Sequence, residues 1–117
     1  MKLISHRGNL TGPNPERENN PDYIWEAIQA GYDVEVDVWW VDGKFKLGHD
    51  EPKYHFPFSL IERHYSKLWI HCKNMDALSQ LNELDSSGLK VNYFSHENDL
   101  GVLTSRGYIW STNVYKR

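Results

Sequence analysis

The sequence predicts an α/β domain built around a parallel sheet. Short apolar and β-branched segments alternate along the chain with segments of helical periodicity, which is the pattern of successive strand–helix units. The chain has 117 residues, so a single domain spanning residues 1–117 is expected. No repeat or low-complexity tract interrupts the alternation.

Five core strands are predicted, because five short apolar runs are bounded by turn-forming residues. They lie at residues 2–5, 33–40, 68–72, 91–95 and 108–111. The dipeptide Asp42-Gly43 is typical of a tight hairpin turn, so residues 44–47 are expected to return beside the second strand. Residues 51–57 contain two prolines and are predicted to be irregular.

Two helices have clear boundaries in the sequence. The first begins after Asn20, an N-cap residue followed by proline, and ends at Gly31; the second begins after Asn74 and ends near Gly88. The side chains expected to face the sheet are Ile24, Ala27, Ile28, Met75, Leu78 and Leu81. Two shorter helices are predicted, over residues 58–65 and around Leu100 and Leu103.

Composition and charge argue against several function classes. The chain has 13 basic and 16 acidic residues and a net charge of −3, which disfavours binding to nucleic acid or an anionic membrane. No apolar run approaches the roughly 20 residues of a membrane helix, so no stable membrane insertion is expected. The first residues have no long apolar stretch before a small-residue cleavage site, and the single cysteine cannot form an internal disulfide. A cytoplasmic protein is therefore expected.

Chemically active side chains lie at four of the five predicted strands. This placement is informative because ligands of parallel α/β sheets bind beyond the carboxyl ends of the strands. In chain order these side chains are His6, Arg7, Glu35, Asp37, His49, Asp50, His71, Lys73 and His96.

Glu35 and Asp37 are two residues apart in the second strand, so both side chains project to the same face. Carboxylate oxygens suit a hard cation such as Mg²⁺ or Ca²⁺. The alternative is a strand whose carboxylates point into water while the valines at positions 34, 36 and 38 form the buried face.

The basic and imidazole side chains also have two interpretations. His6 and His49 suit an acid–base pair, because imidazole titrates near pH 6.5, but each alone fits a hydrogen-bonded structural histidine equally well. Arg7 and Lys73 suit phosphate binding, although each alone fits a solvated surface base.

Together these residues resemble the signature of the glycerophosphodiester phosphodiesterase family. The matching motifs are His6-Arg7-Gly8, Glu18-Asn19, Glu35-Val36-Asp37, Asp42-Gly43 and His49-Asp50. The match covers residues 2–50, and a looser match continues to Lys73. The resemblance implies a TIM-barrel-like fold, but a closed barrel takes about 250 residues. We therefore expect a truncated, partial (β/α) barrel of about five parallel strands, with an open edge and an exposed inner face. Either the chain's own loops cover this sheet or two chains associate, and a homodimer is favoured.

The resemblance also implies a reaction, in which a small glycerophosphodiester is cleaved to glycerol 3-phosphate and an alcohol with the help of a divalent cation, Mg²⁺ or Ca²⁺. By this resemblance Glu35 and Asp37 bind the metal, and His6 and His49 are the acid–base pair. Arg7 contacts the phosphate. Glu18 lies at the edge of the site.

The chain departs from the family where a further metal-binding Glu is expected, because this position is His71. Lys73 matches the family's lysine on the same strand and is assigned to substrate binding. An imidazole ligand predicts weaker binding of Mg²⁺ or Ca²⁺, a preference for Mn²⁺ or Zn²⁺, or no metal; His71 could instead be a third titrating group. Two alternatives to the enzyme are a non-catalytic phosphate- or polyol-binding module and a purely structural domain.

Overall fold

The computed structural model describes residues 3–95, 101–103 and 109–111. Within them the chain forms a six-stranded mixed sheet, three α-helices, one short 3₁₀ helix (Tyr65–Lys67) and a separate two-stranded sheet. The strands of the large sheet are β1 (Ile4–His6), β2 (Asp33–Val41), β3 (Lys44–Leu47), β4 (Tyr54–His55), β5 (Leu68–Cys72) and β6 (Asn92–Phe94). The helices are α1 (Pro21–Gln29), α2 (Phe58–His64) and α3 (Met75–Ser86), and the small antiparallel sheet pairs β7 (Gly101–Leu103) with β8 (Ile109–Ser111).

The large sheet has the order β4-β3-β2-β5-β6, so β2 lies at its centre. On one side β2 runs parallel to β5, which runs parallel to β6. On its other side β2 pairs with two strands, parallel with β1 along residues 33–35 and antiparallel with β3 along residues 38–41.

The prediction of a partial TIM-barrel-like sheet of parallel strands is therefore wrong. The cause is the hairpin after β2, where Asp42 and Gly43 both have positive φ, 53° and 75°. Such a turn reverses the chain tightly. β3 consequently takes the edge of β2 that a further parallel strand would need, and β4 continues the antiparallel arrangement.

The hydrophobic core lies on the face of β2 that bears Val34, Val36 and Val38, called here the valine face. All three valines are fully buried, and they pack with the apolar sides of the helices. The helix residues of this core are Ile24, Ala27, Ile61, Ala77 and Leu81.

Asparagine caps position both long helices. Asn20 accepts a hydrogen bond from the backbone of Asp22, and Asn74 accepts one from Ala77. Asn74 also exchanges two hydrogen bonds with the backbone of Trp40, which fixes the start of α3 beside the end of β2. Met75, expected to face the sheet, is instead 74% exposed, whereas Ala77 and Leu81 of the same helix are fully buried.

Two further expectations need correction. The stretch 51–57, expected to be irregular, contains β4, and Leu103, expected in a helix, lies in β7. Leu100 and His96 lie outside the described residues. None of the described helices is long and apolar enough to cross a membrane.

Candidate functional site

The site is built on the opposite face of the sheet, called here the carboxylate face because it bears Glu35 and Asp37. Parallel register sets His6 beside Glu35 and His71 beside Asp37. The two acidic residues are 2% and 0% exposed, so β2 is buried on both faces. The alternative in which these carboxylates point into water is therefore wrong.

Glu35, Asp37 and His71 form a cluster with the dimensions of a metal site. One donor atom from each residue lies within 4.8 Å of the others. The His71 Nδ1 atom is 3.1 Å from Asp37 Oδ1 and 3.9 Å from Glu35 Oε2. Among the described residues no group hydrogen-bonds the buried Glu35 Oε1 atom. Because buried charge is normally paired, two neighbouring carboxylates with an unsatisfied oxygen fit a divalent cation.

Without such a cation, the negative charge of Glu35 is poorly stabilised by its surroundings. Burial raises its pKa well above the usual range, and the charge of Asp37 raises it further. The positive charges of Arg7 and Lys73 oppose this shift without cancelling it. The ionised form of Glu35 is consequently less stable than that of an exposed glutamate, and additional positive charge nearby would stabilise it.

Asp37 behaves in the opposite way. Burial alone would raise its pKa, but the neighbouring His49 and His71 side chains, the Arg7 charge and the Asn19 amide outweigh burial and lower it. Asp37 therefore stays ionised and is the permanent negative charge of the site.

Arg7 connects three parts of the site through its guanidinium. Its Nε atom lies 2.8 Å from Asp37 Oδ2, and its Nη1 donates a 3.1 Å hydrogen bond to Glu18 Oε1. Its Nη2 lies 2.6 Å from His49 Nδ1. Glu18 is held in turn by Asn9 and by the backbone of Asn14, so the acidic partner of Arg7 is fixed.

A turn in left-handed backbone conformation aims Arg7 at the carboxylates. Arg7 has φ 58° and Gly8 has φ 93°. A Cβ atom on Gly8 would lie 2.8 Å from the ring of Tyr23, so this position has room only for glycine.

His6 and His49 flank the two carboxylates. His6 Nε2 is 3.4 Å from Glu35 Oε1, and His49 Nδ1 is 3.6 Å from Asp37 Oδ2. Burial, reinforced by the charge of Arg7, lowers the pKa of His6 to about 4, so its imidazole is neutral near pH 7. The His49 side chain is 46% exposed, and its Nε2 atom is 3.6 Å from Asp50.

The loop that bears His49 is fixed by its neighbours. The Gly48 N–H donates to the backbone of Asp37, and the Trp39 indole donates a 2.7 Å hydrogen bond to the Gly48 carbonyl. A Cβ atom on Gly48 would lie 1.8 Å from the Glu51 carbonyl oxygen, so a larger residue would displace the loop.

Lys73 lies at the end of β5, where its backbone N–H donates to the Val38 carbonyl. Its charge acts on Glu35, lowering the pKa of that carboxyl. A cavity of about 370 Å³ opens beside Arg7, Glu18 and His49 and continues to Tyr54.

The structure thus brings together the side chains of seven predicted site residues and sets the eighth, Lys73, close enough to influence Glu35. The seven are His6, Arg7, Glu18, Glu35, Asp37, His49 and His71. Sequence reasoning gave no role to Asn19, which bonds Asp37, or to Phe94, whose ring stacks on His71 with centroids 5.2 Å apart. The alternation of β6 beside β5 could have indicated Phe94.

Comparisons of the chain with protein-family models, with curated proteins and with solved structures find no match. The geometry of the site is therefore the basis for a functional proposal.

Proposed function

We propose that the protein is a metal-dependent phosphodiesterase that cleaves a glycerophosphodiester to glycerol 3-phosphate and an alcohol. The observation that supports this most is the buried Glu35–Asp37–His71 cluster with the imidazoles of His6 and His49 on its flanks. A structural domain gains little from burying two acids side by side, because each charge must be taken out of water.

Glu35, Asp37 and His71 are the residues that would hold the cation. A bound dication would offset the charge of the diester and polarise its phosphorus–oxygen bonds. The imidazole nitrogen in this donor set favours Mn²⁺ or Zn²⁺ over Mg²⁺ or Ca²⁺, which prefer ligands made entirely of oxygen.

Arg7 is the proposed phosphate-binding residue. Its guanidinium lies at the wall of the cavity and offers donors in a planar fork that matches a phosphate. Glu18 holds one side of that fork at the edge of the site. Lys73 adds positive charge from the end of β5, so we assign it to the same anionic substrate.

His6 is suited to accept the proton of the attacking hydroxyl. If that hydroxyl is water, glycerol 3-phosphate forms directly; if it belongs to the substrate's glycerol, a cyclic glycerol phosphate forms first and water then opens it to glycerol 3-phosphate. The lowered pKa of His6 keeps its imidazole neutral, and it lies against the buried carboxylate of Glu35. As the new oxygen–phosphorus bond forms, the bond to the leaving alcohol breaks and that oxygen needs a proton.

His49 is suited to donate that proton. A carboxylate oxygen of Asp37 lies 3.6 Å from its Nδ1 atom, and one of Asp50 lies 3.6 Å from its Nε2 atom. Arg7 can only donate, so His49 Nδ1 accepts from Arg7 in the resting arrangement. When the guanidinium turns to a phosphate, Asp37 remains as the acceptor for a protonated Nδ1.

The test is release of glycerol 3-phosphate from glycerophosphocholine and from diesters of other alcohols, with MnCl₂, ZnCl₂ or EDTA. Release should require metal and should be abolished by His6→Ala and by His49→Ala. His55→Ala is the matched control, because this histidine is exposed on β4. Undiminished release by both site variants would contradict the proposal.

The alternative is a non-catalytic module that binds a phosphate or a polyol. His71 favours this alternative, because it stands where a carboxylate is expected. The imidazole lacks the negative charge with which a carboxylate attracts a hard cation. Thermal stabilisation by a glycerophosphodiester without any turnover would support this alternative.

We also propose a cytoplasmic location, no nucleic-acid partner and a homodimer. Trp69 and Phe94 on the carboxylate face are only 4% and 3% exposed, so a dimer contact would involve other side chains than these two. Sedimentation as a monomer of 13.8 kDa at micromolar concentration would exclude the dimer.

A further inference from the structure

We infer that Asn19 is a positioning residue that determines which oxygen of Asp37 is available to a cation. This inference rests on the proposed metal site and adds a residue that does not itself bind the metal. Asn19 is 1% exposed, and its side chain makes two hydrogen bonds to Asp37. Its Oδ1 accepts from the Asp37 backbone N–H at 2.9 Å, and its Nδ2 donates to Asp37 Oδ2 at 3.0 Å.

The orientation of the Asn19 amide follows from these partners. A backbone N–H can only donate, so the amide oxygen must face it, and the amide nitrogen must then face the carboxylate. The two bonds join one side chain to both the backbone and the carboxylate of Asp37. They therefore restrict rotation of that carboxylate about its side-chain bonds.

In this arrangement the two carboxylate oxygens of Asp37 have different partners. Oδ2 receives the hydrogen bond from Asn19 and lies 2.8 Å from Arg7 Nε. Oδ1 lies on the side of the cluster, 3.1 Å from His71 Nδ1. Oδ1 hydrogen-bonds His71 Nδ1, which is itself a proposed ligand atom, so a cation held between these two atoms can take Oδ1 while Oδ2 keeps its bond to Asn19.

The backbone of Asn19 strengthens the case for a specific role. Its φ of 66° lies in the left-handed region, which asparagine tolerates better than most residues. Its N–H donates to the Arg7 carbonyl at 3.0 Å, so Asn19 ties both Arg7 and Asp37 to the loop before α1. Within the described part of the chain, its hydrogen bonds all go to these two site residues.

Asn19→Gly is the main test, because glycine keeps the left-handed backbone without strain and removes both side-chain hydrogen bonds. Asn20→Gly is the matched control, since Asn20 caps α1 and its side chain bonds Asp22 rather than the site. Both variants and the wild type are titrated with Co²⁺, and folding is checked by circular dichroism. The readouts are the dissociation constant and the visible absorption spectrum of bound Co²⁺, which reports the coordination around the ion.

We expect Asn19→Gly to weaken Co²⁺ binding about 10- to 100-fold, as is usual for loss of a residue that orients a ligand, and to change the spectrum. Asn20→Gly should match the wild type in both readouts. If Asn19→Gly does not fold, the spectrum of the near-isosteric Asn19→Asp, which lacks the amide donor, should differ from that of the wild type.

Three results would overturn the inference, and they are distinguishable. A wild type that binds Co²⁺ and an Asn19→Gly variant with the same affinity and spectrum would refute the positioning role alone. If Asn19→Gly does not fold, an Asn19→Asp spectrum identical to the wild type would do so. A wild type that binds no Co²⁺ would refute the metal site and this inference with it.

Discussion

Replacing Glu35 by Gln tests whether the carboxylate of Glu35 serves metal binding or folding. The substitution keeps the shape of the side chain and removes its charge. Glu35 is buried, and burial raises its pKa well above the usual range, so its ionised form is unfavourable in the metal-free protein. Without metal, we therefore expect Glu35→Gln to be at least as stable as the wild type. With metal, the wild type should gain stability and the variant should not.

The size of the effect follows from ligand linkage. A ligand present at 100 times its dissociation constant stabilises the folded state by about 2.7 kcal/mol. Unfolding entropy near 2.1 cal/mol/K per residue gives about 0.25 kcal/mol/K for 117 residues. The expected rise in the melting temperature of the wild type is thus about 11 °C.

Thermal unfolding followed by circular dichroism, in EDTA and then in increasing MnCl₂, measures both effects. Glu62→Gln is the matched control, because Glu62 is exposed on α2 and should keep the full response to metal. Two results would refute the reasoning. One is a Glu35→Gln variant that melts well below the wild type in EDTA, and the other is a variant that retains the wild-type response to MnCl₂.

Three other predictions concern the same site. His71→Glu should raise the affinity for Mg²⁺ relative to Zn²⁺ in calorimetric titrations, and an unchanged ratio would count against His71 as a ligand. Metal affinity should fall as pH falls through the raised pKa of Glu35, because the cation and the proton compete for that carboxylate. Calorimetric titrations over a range of pH measure this, and an affinity that does not change with pH would be inconsistent with the raised pKa. Gly8→Ala should destabilise the fold by about 1–3 kcal/mol in urea, because φ is 93° and the added Cβ meets Tyr23; wild-type stability would argue against the described turn.

The sequence predicted the site well where the geometry is local. The period of a strand places Glu35 and Asp37 on one face whatever the rest of the chain does. The predicted strand at 68–72 coincides with β5, which sets His71 beside Asp37 through parallel register. Asn20 and Asn74 were correctly predicted as helix caps, because capping depends on a few neighbouring residues.

The prediction was wrong where non-local pairing decides the structure. The hairpin at Asp42 and Gly43 was correctly predicted, but the remaining strands could not be placed from local pattern: β4 adds antiparallel to β3, and residues 109–111 pair with residues 101–103 in a separate sheet. β4 has only two residues, too few to give a recognisable pattern. The role of Asn19 depends on a contact 18 residues away through a left-handed turn, which periodicity does not reveal.

The central claim is that Glu35, Asp37 and His71 together bind a divalent cation. The most direct measurement is anomalous X-ray diffraction at the zinc edge from crystals of the protein soaked in ZnCl₂. We predict a peak about 2.0–2.2 Å from a carboxylate oxygen of Glu35, from Asp37 Oδ1 and from His71 Nδ1. A fully occupied zinc site elsewhere with no peak at this cluster would contradict the claim.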